Sequence, residues 1–252
     1  MISSDAPWAD APFTLIPTPG RGENVNKLDD TVWIAREMAN AHNGMLRALN
    51  SIYQQCIYVK EAKDVKDLLL YARLWCDWIH EHHEGEETFL FARIEEITGV
   101  ERLMEVNVAQ HHTFMNGLEE LQKYAKEIKA EEYDGMKLRS IIDSFGGNLT
   151  KHLTEEIETL LGLKKYDGPA LRKAFVGFDD EMRKGDKSTL FPIVLGSSDV
   201  NYEGGLDWPE VPGPIKALVY YWFERKYKGA WRFCPSTTWG ERRQLLFTGK
   251  AD

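Results

Sequence analysis

Seven histidines are the residues of this chain whose type and spacing could do chemistry. Four of them fall on apolar stripes of helical period, one on each of four long segments. Two of these four have a glutamate four residues later, a spacing that places both side chains on one helix face. The six inward-facing donors are His42, His82, Glu86, His111, His152 and Glu156.

The donors occur in the same order twice. His42 precedes His82 by 40 residues, and His111 precedes His152 by 41 residues. Imidazoles and carboxylates cannot stay unpaired in a dry core without a large desolvation cost, which bound metal ions remove. Mixed nitrogen and oxygen donors suit iron, manganese or zinc. The repeated order predicts two similar half-sites, with the two carboxylates shared between them as bridges.

Neighbouring histidines leave the register partly open. His83 and Glu87 also have the H-x-x-x-E spacing, and His112 could replace His111. The stripe of His83 is the more polar one, and a lone inward histidine is more often a hydrogen-bonded core residue than a ligand. We therefore expect a change at Glu87 to do little to metal binding. The residues that we place on the rim or in the second shell are His80, His83, Glu87 and His112.

Four long amphipathic segments must position these donors. The first begins near Asp30, and short polar links join each segment to the next. This pattern predicts an all-α antiparallel up-down four-helix bundle over residues 30–165. The three further predicted helices cover about Lys63–Glu96, Val100–Lys129 and Asp134–Leu163.

Two flanking segments complete the chain. Residues 1–29 are rich in proline, glycine and small polar residues, which predicts an extended leader. Residues 166–252 hold many aromatics, which predicts an extension packed on the bundle. Within this extension we expect helices at about Gly168–Arg183 and Pro212–Tyr227, with irregular chain between them.

Composition excludes several partners. The 252 residues are 43% hydrophobic and carry a formal net charge of −9, which disfavours nucleic acid and anionic membranes as partners. No apolar run approaches the ~18 residues of a membrane span. The three cysteines are too widely spaced for a metal clamp, and the first residues lack the pattern of a secretory signal. We therefore expect a cytoplasmic protein.

Four strings around the predicted donors resemble the hemerythrin-like (HHE) domain family. They are AHNGMLRAL, HHEGEETFLF, QHHTFMNGL and KHLTEEIETL. The resemblance covers residues 30–165, and the long extension is similar to that of fungal members. It implies a cofactor of two iron ions in a four-helix bundle, with bridging carboxylates and an oxo or hydroxo bridge, although other metals remain possible.

Oxygen-carrying members of this family add a fifth histidine one turn after the third-helix ligand. Here that position is Met115, and a thioether is a poor ligand for this chemistry. The carriers also have a longer closing His-to-Asp spacing than the four-residue step from His152 to Glu156. The six-ligand set is similar instead to members linked to nitric oxide or iron–sulfur repair, iron sensing and oxidative chemistry. Met115 therefore marks a coordination position that could be open.

Three functions are compatible with these residues. The first is a non-heme diiron oxidoreductase that activates O2 or peroxide, with a possible small organic substrate. The second is a non-catalytic sensor or storage module for O2, NO or iron. The third is a structural zinc bundle. The absence of a fifth histidine at residue 115, together with the aromatic extension, favours the enzyme.

Overall fold

The computed structural model describes residues 8–204 and 208–249. All the long regular elements in these ranges are helical, with a single isolated β-bridge between Ser236 and Arg242. The predicted all-α class is confirmed. Residues 1–7 of the predicted leader, and residues 205–207 and 250–252 of the predicted extension, lie outside this description.

Eight α-helices follow one another along the described chain. Aspartates cap several of them; for example, Asp29 accepts a hydrogen bond from the Thr31 backbone N–H, which satisfies one free amide at the start of the first helix. The helices are α1 (Asp30–Gln55), α2 (Ala62–Gly85), α3 (Phe91–Thr98), α4 (Glu105–Glu127), α5 (Gly135–Leu161), α6 (Gly168–Met182), α7 (Lys187–Gly196) and α8 (Gly213–Tyr221). Within the described ranges no helix has both the length and the apolar character of a membrane span.

The four longest helices enclose the core. Helix α1 packs against α2 and α5, and α4 packs against the same two helices; we call α1, α2, α4 and α5 the helix ring. Inside it the ring of Trp75 stacks on Phe145 with centroids 6.3 Å apart, and Trp75 Nε1 donates to the Met45 carbonyl at 3.0 Å. The apolar stripes of the sequence therefore face one shared interior.

The helix predicted at Lys63–Glu96 is interrupted. Helix α2 ends at Gly85, a π-helical segment covers Glu86–Leu90, and α3 continues from Phe91. The Phe91 backbone N–H bonds to the carbonyl of Glu86, five residues back. Such a wider turn holds one extra residue and is often found at functional sites. Here it falls on one of the predicted bridging carboxylates.

The extension packs on the outside of the helix ring. Helix α6 contacts α1, α2 and α3, and α7 contacts α1 and α2. Helix α7 lies where irregular chain was expected, because it is apolar on most sides and contains Pro192, so no helical period marks it. The helix expected at Pro212–Tyr227 is shorter, since α8 ends at Tyr221 and a 3-10 turn follows.

The described part of the leader lies along α1. Asn43 on α1 donates to the Ile16 carbonyl at 2.8 Å and accepts from the Ile16 N–H at 2.7 Å. Two turns further along α1, Asn50 donates to the carbonyls of Ala9 and Phe13 and accepts from the Phe13 N–H. Buried main-chain groups need such partners. Helix α1 therefore contacts the core on one side and the leader on another.

Replacing Asn50 by alanine should loosen the leader. Three main-chain groups lose a buried partner, so the free energy of unfolding in urea should fall by about 1–3 kcal/mol. The matched control is Asn148→Ala, which removes an exposed hydrogen bond to the Thr113 carbonyl and should cost less than about 0.5 kcal/mol. Equal losses in the two variants would contradict a leader held by this side chain.

Candidate metal centre

All six predicted donors lie together in the interior of the helix ring. His42 comes from α1, His82 from the last turn of α2 and Glu86 from the π-helical segment. His111 lies near the start of α4, and α5 contributes a histidine and a glutamate one turn apart. Each of the six residues is at most 5% exposed: His42, His82, Glu86, His111, His152 and Glu156.

The histidines form two close pairs. His42 Nε2 lies 3.2 Å from His82 Nε2, and His111 Nε2 lies 3.1 Å from His152 Nε2. Two nitrogens that each bind one ion at about 2.1 Å and at about a right angle would be about 3.0 Å apart. The spacing within each pair therefore fits two ligands of one metal ion.

Each glutamate spans both histidine pairs. Glu86 Oε1 is 2.7 Å from His82 Nε2, whereas its Oε2 is 3.5 Å from His111 Nε2. Glu156 Oε2 lies 3.5 Å from His42 Nε2 and 3.7 Å from His152 Nε2. Glu86 therefore presents one oxygen to each histidine pair, whereas a single oxygen of Glu156 lies near both pairs. The arrangement fits two half-sites that share two bridges.

Neither glutamate carboxylate has a hydrogen-bond donor as its partner. Both oxygens of Glu86 and both oxygens of Glu156 are buried and accept no hydrogen bond from the described residues. An unpaired buried carboxylate costs several kcal/mol, on the order of the penalty for a lost charged partner. Cations between the carboxylates and the imidazoles would remove this cost, so the residues present fit bound metal.

The other ring nitrogens fix the histidine tautomers. His42 Nδ1 lies 2.8 Å from the Leu153 carbonyl, which only accepts, so Nδ1 carries the proton and Nε2 keeps its lone pair. His111 Nδ1 lies 2.5 Å from Glu87 Oε1, and His152 Nδ1 lies 3.2 Å from Gln110 Oε1. The Nε2 atoms of His42, His111 and His152 are thus free to act as ligands.

Burial sets the charge of the donors. It lowers the pKa of His42 and His152 well below the usual value and lowers that of His82 to about 3. It also raises the pKa of Glu86 and Glu156, because a dry interior disfavours any charged form. The imidazoles are therefore neutral, the form that binds metal, and metal binding would release protons from the carboxyls.

Comparison with known proteins identifies the family. The profile of the hemerythrin HHE cation-binding domain matches residues 34–163. The chain belongs to this family. The predicted resemblance is thereby confirmed, and the matched residues run from the first turns of α1 to just beyond α5.

One relative resembles the chain over almost its whole length. It is the "Dimeric xanthone biosynthesis cluster protein R11" of Cryptosporiopsis sp. (strain 8999). It is 38% identical over 244 residues, which cover 95% of this chain and 93% of that protein. The similarity therefore includes the extension beyond the HHE domain. No solved structure gives a significant match.

His83 lies inside the cluster of the HHE domain rather than on its rim. It is 1% exposed, and its ring centroid is 4.5 Å from that of His111 and 5.1 Å from that of His152. Its Nδ1 is held by the Ile79 carbonyl, and its Nε2 has no hydrogen-bond partner among the described residues. Ligand atoms of His83, Glu86, His111 and His152 all lie within 4.8 Å of one another.

The helical wheel explains why both histidines of the doublet reach the site. Consecutive helix residues point about 100° apart, and α2 lies between α1 and α4 in the helix ring. His82 therefore turns toward His42 on α1, and His83 turns toward His111 on α4. The more polar stripe of α2, which led us to place His83 on the rim, is the face of α2 that points toward α4.

The other residues predicted near the metal, beyond the six donors, lie in different surroundings. Glu87 is 38% exposed and binds His111 Nδ1, which orients that ring as outer carboxylates do in metal sites. His112 is exposed, and His80 is half-buried. Met115 is half-buried and packs against the apolar core.

Aromatic rings cover the donors. Phe178 of α6 lies 5.7 Å from the His82 ring, Phe114 lies 5.0 Å from the His83 ring, and Phe91 stacks on His111 at 5.9 Å. This cover excludes water and lowers the local dielectric constant. One covering ring comes from the extension, so the site of the HHE domain is completed from outside the helix ring.

Removing the Glu87 carboxylate should weaken metal binding. From the sequence we expected a change at Glu87 to do little to metal binding. The structure changes that prediction, because the Glu87 carboxylate holds the His111 ring in place. Glu87→Ala should lower metal affinity about 10–100-fold in a chelator competition assay. The control is Glu84→Ala, an exposed carboxylate of the same acidic run, which should leave affinity unchanged. Equal affinities for both variants would contradict the orienting role.

Proposed function

We propose that the protein is a non-heme diiron oxidoreductase that activates O2 or peroxide for the oxidation of a small organic substrate. His42 and His82 would hold one iron, His111 and His152 would hold the other, and Glu86 would bridge them. The second bridge would be Glu156. The observation that carries the proposal is the pair of buried carboxylates, each within reach of both histidine pairs.

The proposed architecture follows from the same residues. We infer an antiparallel up-down four-helix bundle over residues 30–165, with residues 1–29 as a leader and residues 166–252 as an extension on its surface. The ring of contacts among α1, α2, α4 and α5 supports this inference. So does the contact of α6 with three helices of the matched domain.

Iron is the metal that suits both the donors and the reaction. Mixed imidazole and carboxylate ligation is typical of non-heme iron sites. Bound iron would supply the electron transfer that reduction of O2 or peroxide requires. The chain itself keeps the Nε2 lone pairs aimed inward through its Nδ1 contacts, and its aromatic cover keeps water out.

The relative favours an enzyme over a binding module. Its name places that protein in a cluster for dimeric xanthone biosynthesis, and its similarity to this chain includes the extension. Biosynthesis clusters consist largely of proteins that make or modify small molecules. We therefore infer that this chain also acts on a small organic molecule, with the extension contributing to the site.

A second candidate is a non-catalytic sensor or storage module for O2, NO or iron. The position of His83 favours it, because a fifth imidazole beside His111 and His152 could occupy a coordination position that catalysis needs open. The two candidates share the diiron centre and differ only in turnover.

Metal content and turnover test the proposal. Protein purified without added metal should contain about two irons per chain and show the visible bands of an oxo-bridged diiron centre. Glu86→Gln, which keeps the side-chain shape but weakens the bridge, should lose one or both irons, whereas Glu84→Gln should keep them. With a reductant, steady O2 consumption should exceed that of an equal amount of free iron.

Three other results of these measurements would contradict the proposal. Two irons with reversible ligand binding but no turnover would replace the enzyme by the sensor or storage module. Two zinc ions and no iron would overturn both and leave a structural bundle. Full iron content in Glu86→Gln would contradict the bridging role.

A further inference from the structure

A cavity of about 410 Å³ lies between the helix ring and the extension. Its inner wall comes from α1 and α2, and its outer wall comes from α6, α7 and residues 208–211. Its size is within the range of pockets that hold small organic ligands, about 300–1,000 Å³. The cavity is therefore large enough for a substrate, and residues far apart in sequence enclose it.

The cavity reaches the candidate metal centre at one residue. His82 lines the cavity, and the same side chain places its Nε2 2.7 Å from Glu86 Oε1. One imidazole thus separates the cavity from the bridging carboxylate. A molecule in the cavity would lie directly beside the first half-site.

Aromatic and apolar side chains make up most of the lining. Large flat rings approach from both the helix ring and the extension, an arrangement that suits stacking and edge contacts with an aromatic ligand. The rings and the thioethers in the lining are those of Trp33, Met38, Trp78, Phe175, Phe178, Met182, Phe191 and Trp208.

Glu37 is a carboxyl set away from the exposed end of this lining, and it can accept a further hydrogen bond. Its Oε2 accepts from Trp208 Nε1 at 3.0 Å. A carboxylate has about four acceptor positions, so this hydrogen bond leaves room for a donor from a ligand. Burial raises the pKa of Glu37 to about 7 against the Trp208 hydrogen bond, which lowers it. A carboxyl in such a place prefers a ligand that donates a hydrogen bond.

The charge of the lining selects against anions. Glu37, Glu81, Asp179 and Glu210 line the cavity, and Arg183 is the cation among its lining residues. Glu81, Arg183 and Glu210 are exposed, so this charged side is the mouth. A carboxylate or phosphate ligand would meet net repulsion there and would lose its hydration inside.

We propose that this cavity binds an uncharged aromatic molecule with a hydroxyl group, which donates to Glu37 while the rings lie between the aromatic walls beside His82. The assignment of this molecule as the substrate rests on the proposed diiron function. The binding of this molecule does not rest on that function, because protein side chains form the cavity walls and the Glu37 acceptor without any metal ion. The claim deepens the proposed function by naming a class of substrate: neutral, aromatic and hydroxylated.

Three naphthalenes test the binding claim on the metal-loaded full chain. By isothermal titration, 2-naphthol should bind at least 10-fold more tightly than 2-methoxynaphthalene, which cannot donate, and than 2-naphthoate, which is an anion. Glu37→Leu should remove the preference over the methoxy compound. Trp208→Phe, which breaks the same internal hydrogen bond but keeps the carboxyl, should retain it.

A space-filling change checks the location. Val194→Trp on α7 places a bulky ring in the cavity lining and should weaken 2-naphthol binding at least 10-fold. The matched control is Val106→Trp at a position that is 67% exposed on α4, which should leave binding unchanged. Unchanged binding in Val194→Trp, a preference retained in Glu37→Leu, or 2-naphthoate binding as tight as 2-naphthol would each overturn the proposal.

The failure of this inference can be told from failure of the proposed function. Glu86→Gln should bind 2-naphthol within about threefold of the unaltered chain even where iron is lost. Binding without oxidation of any hydroxylated aromatic would leave the cavity assignment standing and remove the oxidoreductase. Rapid O2 consumption with no binding of 2-naphthol would do the reverse.

The half-buried position of Glu37 has a signature in thermal stability. Its carboxyl faces Arg36 on α1, Asp179 on α6, and Trp208 and Glu210 of the extension. Because its pKa is raised to about 7 in the folded chain, stability is lost as pH rises from the ordinary value of 4.5 through 7. Glu37→Gln should therefore raise Tm by about 5 °C at pH 8 and several-fold less at pH 5.

Melting curves of both proteins at the two pH values measure this difference. The control is Glu119→Gln, an exposed position on α4, which should shift Tm by the same small amount at both. A Glu37→Gln shift that does not depend on pH would show that this carboxyl is solvated, and that its oxygens are not reserved for a ligand.

Discussion

Two carboxylates buried without hydrogen-bond donors are the constraint on which the structure depends. Glu86 and Glu156 are fully buried in the helix ring, and imidazole nitrogens rather than amides or hydroxyls surround them. A dry interior tolerates such groups only with compensating positive charge. The donors on α1, α2, α4 and α5 therefore have to be held at fixed separations, and the apolar packing of Trp75 and Phe145 elsewhere in the ring provides that rigidity.

Helix α1 connects this centre to the rest of the chain. It contributes His42 to the cluster, Glu37 to the cavity and Asn50 to the leader, from three different faces. Nineteen of its 26 residues are buried. Polar residues are frequent among them because each neighbouring segment presents main-chain groups that need partners.

The long helices of the helix ring, and the meeting of six His and Glu side chains inside it, were predictable from the sequence because both repeat at helical spacing on apolar stripes. Other features depend on how elements pack. The π-helical segment at Glu86 leaves no trace in hydrophobic period, and His83 reaches the cluster only because α2 lies between α1 and α4. Helix α7 is apolar on most sides and contains Pro192. The cavity joins residues on α1 to residues more than 130 positions later, which no local pattern could bring together.

The π-helical segment at Glu86–Leu90 also determines how the faces of α2 and α3 line up. Its extra residue lets Glu86 face the cluster while Phe91, at the start of α3, still covers His111. Winding these same residues as an ordinary α-helix would turn everything downstream by about 100° relative to Glu86. Either the carboxylate or the covering ring would then point away. The bulge therefore fixes the angle between the Glu86 carboxylate and the Phe91 ring, which α2 and α3 as separate helices would leave open.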